Sequence, residues 1–149
     1  MFYNEADQQS CTQLDMCDVV EQPLEHILII DDDFDQTEVL AHRFRKQGYN
    51  VSVATTFCDG LATAKAEHPN VVVLDLGLPD GDGLDICTEL SGERTTADIP
   101  VITVSGMERP DIVRTAREAG CQYYVRKPYD PNALLILVQH AITEARDWC

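Results

Sequence analysis

The chain has 149 residues, with 26 Asp plus Glu against 11 Lys plus Arg, a formal net charge of −15 with histidines neutral. That balance excludes a protein that coats nucleic-acid duplexes, because such affinity comes from Lys and Arg neutralising phosphates. The longest unbroken apolar run, Ala133 to Val138, is far short of the roughly 20 residues that span a bilayer, and no basic n-region marks a signal peptide, so a cytoplasmic protein without membrane insertion is expected.

The length predicts one domain, which buries about 70% of its unfolded surface and needs no disulfide staples. Residues 1–25 carry six acids (Glu5, Asp7, Asp15, Asp18, Glu21, Glu25) and no Lys or Arg, which predicts a disordered acidic leader ahead of a domain over 26–147. From there short β-rich runs alternate with helical patterns. The runs are Ile27–Ile30, Val51–Ala54, Val71–Leu74, Val101–Val104 and Tyr123–Val125.

The first helix is predicted over Gln36–Gln47, where Val39, Leu40 and Phe44 share one face and Gly48 stops the turn. Others follow over Leu61–His68, over Leu84–Leu90 after the turn Asp80-Gly81-Asp82-Gly83, and over Pro110–Ala119. A last helix begins at Pro131 with Asp130 as its cap. Five βα units with strands lacking polar alternation predict an α/β fold of three layers, a doubly wound parallel sheet of flavodoxin-like strand order 2-1-3-4-5. The six cysteines form no CxxC pair; Cys58, Cys87 and Cys121 are expected as buried small hydrophobes without chemistry.

Ligands of open α/β sheets bind beyond the carboxyl ends of the strands. The first run ends in Asp31-Asp32-Asp33, the third in Asp75, the fourth in Ser105-Gly106 and the fifth in Lys127-Pro128. Clustered carboxylates repel one another unless a cation sits among them, and hard oxygen ligands on loops suit Mg²⁺ with retained waters.

These residues resemble the receiver domain of response regulators, the phosphoacceptor of two-component signalling. The likeness covers about 26–147 and is carried by Ile27-Leu28-Ile29-Ile30-Asp31-Asp32, Val73-Leu74-Asp75-Leu76-Gly77-Leu78-Pro79-Asp80-Gly81-Asp82-Gly83, Pro100-Val101-Ile102-Thr103-Val104-Ser105-Gly106 and Tyr124-Val125-Arg126-Lys127-Pro128. The gaps of 30 residues from Asp75 to Ser105 and 52 from Asp75 to Lys127 fit it. The resemblance implies that Asp75 takes a phosphoryl group from the phosphohistidine of a histidine kinase or histidine phosphotransfer protein. It implies Mg²⁺ on Asp32, Asp75 and the Gly77 carbonyl, with Asp31 acting through water. Lys127 would pair with the acyl phosphate and precede a cis proline. Ser105 would draw its loop inward, and Tyr124 would follow as the second switch residue toward a downstream protein target.

Asp33 is expected to be a solvated loop acid. Gly106 stands where this family often has Ala, and the resemblance implies that Gly77 and Met107 hold the positions that tune phosphoaspartate lifetime. In the last helix Leu134, Leu135 and Val138 are expected core, whereas Ile136 and Leu137 leave an apolar surface that suggests a homodimer or partner contact. Two rival readings are a phosphorylation-independent docking module and a phosphatase of DxDxT type. The latter is formally matched by Asp33-Phe34-Asp35-Gln36-Thr37 but lacks an acidic pair after Lys127 and leaves Asp75 unexplained.

Overall fold

The computed structural model describes residues 24–106 and 110–147. The leader through residue 23, Met107, Cys11, Cys17 and Cys149 lie outside the described residues. Five strands and five helices alternate among these: β1 (His26–Ile30), α1 (Phe34–Lys46), β2 (Asn50–Ala54), α2 (Phe57–Glu67), β3 (Val71–Asp75), α3 (Gly83–Ser91), β4 (Val101–Ser105), α4 (Ile112–Glu118), β5 (Tyr123–Arg126) and α5 (Pro131–Asp147). All strand pairs are parallel, in the order β2-β1-β3-β4-β5. This is the predicted order. It places the carboxyl ends of β1 and β3 side by side at the sheet centre, with β4 and β5 beyond β3.

The period-2 alternation of strand side chains divides the core into two clusters, one on each face. Leu28, Ile30, Val72, Leu74 and Val101 face α2, α3 and α4, where they meet Ala64, Leu84, Cys87, Leu90 and Ala116. On the other face Ile27, Ile29, Val71, Val73, Ile102 and Val104 meet Leu40 and Phe44 of α1 and Leu134, Val138 and Ile142 of α5. Central β3 and β4 are buried at every residue, while edge strands β2 and β5 are half-buried along most of their length. Uninterrupted apolar runs in the central strands therefore follow from burial on both faces.

Four expectations need correction. Helix α2 begins at Phe57, four residues before the predicted Leu61, because Thr56 caps it through Asp59 N and the Asp80 carboxylate accepts from Phe57 N (2.7 Å) and Cys58 N (3.4 Å). Gly60 inside this helix lies where a Cβ would fall 2.7 Å from Ile30 Cδ1, so the helix packs onto β1 at closer range than Ala allows. Cys58 is exposed rather than buried, since it occupies the outward side of the turn that this earlier start creates.

The other two cysteines are buried as expected, at 1% and 4% exposure, but they are not inert hydrophobes. Cys87 and Cys121 form a disulfide with 6.0 Å between Cα atoms across 34 residues of sequence. The periodicity of each cysteine's own segment carries no information about a partner on another element. In α5, Leu135 and Leu137 both pack against the α1-side cluster. Of the predicted pair only Ile136 is open to solvent, at 65% exposure.

Candidate functional site

Side chains converge where β1, β3, β4 and β5 end. Asp31 follows the last residue of β1 and Asp75 ends β3; both are buried, at 8% and 9% exposure, while Asp32 is exposed. Asp31, Asp32 and Asp75 each offer a carboxylate oxygen within 4.8 Å of the others. Lys127 reaches across from the end of β5, its Nζ 3.0 Å from Asp75 Oδ2 and 3.7 Å from Asp31 Oδ2. The Lys127–Pro128 peptide is cis, as the sequence resemblance implies.

Local hydrogen bonds fix the two buried carboxylates. Asp31 Oδ1 accepts from Asp33 N at 3.0 Å, and Asp75 Oδ1 accepts from Gly77 N at 3.0 Å. Asp33 itself caps α1, its Oδ1 accepting from Gln36 N at 3.1 Å, so this acid is spent on the helix terminus and not on the cluster. Ser105, buried at 1% exposure, takes the Lys127 backbone N–H on its carbonyl at 3.0 Å, which ties the ends of β4 and β5 together. A Cβ at Gly106 would sit 3.8 Å from Lys127 Cβ, ordinary contact. Tyr124 is half-buried against the cluster under α2, α3 and α4.

Electrostatics follow from this crowding. Burial, then the neighbouring Asp75 charge, push the Asp31 carboxyl up to about 6 against a backbone hydrogen bond from Asp33 and the charge of Lys127 that pull it down. Burial disfavours the Lys127 ammonium, but its hydrogen bond to Asp75 and the charges of Asp75 and Asp31 outweigh this and raise its pKa. The site thus holds excess negative charge that one ammonium only partly offsets.

That donor set fits a hard divalent cation. Mg²⁺ takes oxygen ligands in an octahedron at about 2.0–2.1 Å, so ligands across the ion stand on the order of 4 Å apart, and it keeps several waters. Three carboxylate oxygens within 4.8 Å of one another are compatible with that spacing.

Two contributors escaped the sequence reading. Tyr129 is half-buried beside Lys127, with its phenol pKa raised by burial first, against the lowering charge of Lys127. The signal available was only an aromatic two residues past a lysine. Gly83, the first residue of α3, lies where a Cβ would meet Leu76 Cα at 2.9 Å and the Asp75 carbonyl oxygen at 3.0 Å. Both neighbours are backbone. Gly83→Ala is therefore expected to move the loop that follows Asp75 and to destabilise the protein by about 1–3 kcal/mol, with weakened Mg²⁺ binding measured by titration calorimetry; wild-type affinity and stability would show that the loop yields freely.

The fold and this cluster define a class: an open parallel α/β sheet with acids at the ends of its first and third strands and a lysine at the end of its fifth. Residues 27–139 match the response regulator receiver domain, and the chain belongs to that family. It is 37% identical over 110 residues to a probable transcriptional regulator ycf27 of Porphyridium aerugineum, covering 74% of this chain and 45% of that protein. It is 33% identical over 113 residues to the DNA-binding dual master transcriptional regulator RpaA of Synechocystis sp., covering 76% and 47%. The chain thus spans about half the length of the curated relatives it matches. A CheY-like receiver domain protein from Methanospirillum hungatei superposes with a TM-score of 0.81 at 28% identity, over 85% of this chain and all of that one. Receiver domains serve two-component signalling, interact with histidine kinases and downstream targets, and generally bind Mg²⁺ through acidic residues. Among the described residues no helix is long and apolar enough to cross a membrane.

Proposed function

We propose that this chain accepts a phosphoryl group on Asp75 from the phosphohistidine of a histidine kinase or histidine phosphotransfer protein, and signals through the resulting change of surface. The observation that carries this reading is Lys127 Nζ standing between Asp75 and Asp31 in a three-carboxylate cluster. An ionised carboxylate needs no general base, and phosphoryl transfer demands mainly positioning and charge neutralisation. An Asp75 oxygen attacks phosphorus, the new O–P bond forms as the N–P bond breaks, and the electron pair leaves on the donor imidazole.

Asp32, Asp75 and the Gly77 carbonyl would hold Mg²⁺, with Asp31 reaching it through water. Bound there, the ion screens the carboxylates from the incoming anion and neutralises charge on the phosphoryl oxygens. Lys127 exchanges part of its pairing with Asp75 for the phosphoryl oxygens. Ser105 donates its hydroxyl to one of them, which draws the β4 end inward, and Tyr124 follows. The change persists only as far as the phosphoryl group favours that arrangement over the resting one. With a net charge of −15 the chain reads out to a protein rather than to nucleic acid, and exposed Ile136 on α5 offers an apolar point for that partner or a second copy.

Intact-mass analysis after incubation with acetyl phosphate and Mg²⁺ tests the reading. Wild type is expected to gain one phosphoryl group, and Asp75→Asn or an EDTA control to gain none. A gain that survives in Asp75→Asn would place the acceptor elsewhere, and failure of folded, Mg²⁺-binding wild type with several donors would favour a docking module.

A further inference from the structure

The disulfide lies outside the acidic site but between the two elements that support it. Cys87 is one helical turn beyond Gly83, the residue packed on the Asp75 carbonyl. Cys121 precedes β5, the strand that carries Tyr124 and delivers Lys127. The two segments also share the buried apolar cluster that holds Leu90, Ile112 and Ala116, and polar contacts add to it. Ser91 Oγ donates to the Ala119 carbonyl at 3.3 Å, and Gly120, at φ +102°, lets the chain pass where a Cβ would fall 2.7 Å from Ser91 Oγ. On its other side the segment is held by Thr103 Oγ1, which donates to the Tyr123 carbonyl at 3.0 Å.

A domain of about 120 residues with an apolar cluster on each sheet face has core enough to fold without a covalent staple. The link is therefore available for regulation. We propose that Cys87 and Cys121 form a reversible dithiol–disulfide modification site whose co-reactant is a thiol reductant, and that its state sets how freely the segment from Ala119 through β5 moves relative to α3. In reduction a reductant thiolate attacks one sulfur, the Cys87–Cys121 S–S bond breaks and a mixed disulfide forms. A second reductant thiol then resolves it, leaving two protein thiols and one reductant disulfide; two electrons and two protons pass to the protein. Both sulfurs are buried, so exchange waits on opening of the loop before β5. By linkage, whatever stabilises the closed, disulfide-linked arrangement of β5 also shifts the dithiol–disulfide equilibrium toward the oxidised form.

The consequence for signalling rests on the phosphoacceptor reading, but the redox step does not, and the experiment separates them. The full chain is equilibrated in dithiothreitol buffers of graded redox poise, quenched in acid, alkylated and mapped by peptide mass, with amide hydrogen exchange on the fully oxidised and reduced forms. Cys87 and Cys121 are expected to become alkylated together in one two-electron transition, while exposed Cys58 is alkylated throughout. Exchange protection over 119–126 should fall at least tenfold on reduction, with β1 and β3 unchanged. A Cys87→Ala, Cys121→Ala chain should match the reduced form and lose all response to poise.

Free alkylation of both residues in the oxidised chain, pairing of either with another cysteine, global loss of protection on reduction, or unchanged protection over 119–126 would each overturn the proposal. In a further arm, the phosphorylated half-life is expected to differ severalfold between oxidised and reduced chains. Equal half-lives would refute the coupling to signalling, whereas an absence of phosphorylation in either form would refute the acceptor reading and leave the thiol and exchange results to decide the redox site.

Discussion

Phe44→Ala is expected to destabilise the protein by about 3–5 kcal/mol, a large part of the roughly 5–15 kcal/mol available to a domain of this kind. Phe44 is 0% exposed, and its ring fills the space between α1, β1, β3 and α5 with Ile27, Ile29, Val71, Ala141 and Ile142 in the same cluster. It also meets Tyr49 edge-to-face at 6.5 Å between centroids. Truncation leaves a void that the surrounding β-branched strands are too stiff to close, so the loss combines transfer and cavity contributions. Phe34 on the same helix is 59% exposed, and Phe34→Ala is expected to change stability by about 0.5 kcal/mol or less. Urea unfolding checks both through the midpoint at constant slope. A loss below about 1.5 kcal/mol for Phe44→Ala would mean that α1 is not anchored by this ring. The effect reaches the site, because Asp33 joins α1 to Asp31 through its backbone N–H.

What the sequence made legible was whatever its local chemistry determines. Strand positions follow from apolar runs such as Val71-Val72-Val73-Leu74, which only a strand covered on both faces can hide. The site residues lie at the first polar position after each run, and parallel winding brings those positions to one edge. Helix ends marked by a strong local signal, Asp33 before α1 and Gly48 after it, were likewise readable. The start of α2 was not, because part of its support comes from Asp80, 23 residues away from Phe57, while Gly60 in its first turns argues locally against a helix.

The disulfide escaped for the same reason on a larger scale, since nothing at Cys87 announces a partner 34 residues on. Ile136 and Leu137 differ in fate although both are apolar. Successive helix positions turn by about 100°, and in α5 Leu137 packs against the core while Ile136 does not. How widely a helix face is covered depends on its seating, which no helical period encodes.

Asp31→Asn is expected to stabilise the metal-free protein at neutral pH and to remove most of the stabilisation that Mg²⁺ gives. Burial and the Asp75 charge raise the Asp31 carboxyl from 3.8 to about 6 in the folded chain. The folded state therefore holds this proton at pH values where the unfolded chain has released it. Stability from this group is largest below 3.8, declines as pH rises through the interval to about 6, and is gone above it. The full rise corresponds to about 3 kcal/mol as an upper bound at pH 7, and because Asp31, Asp75 and Lys127 share one another's charge, a gain on the order of 1–3 kcal/mol is the expected range.

Asn at this position keeps an oxygen for the Asp33 N–H and replaces a repelling carboxylate beside Asp75 with an amide that can donate to it. Unfolding in EDTA at about pH 7.5 should show the gain, and at about pH 5 it should shrink by roughly half as wild-type Asp31 takes up its proton. Added Mg²⁺ should stabilise wild type according to its concentration over Kd, and the variant much less, so that the difference narrows or reverses. A variant less stable than wild type in EDTA at both pH values would show that Asp31 contributes favourably to the resting fold. The expected pattern instead marks a group held against its own electrostatic preference, where a more stable metal-free domain comes with weaker ion binding.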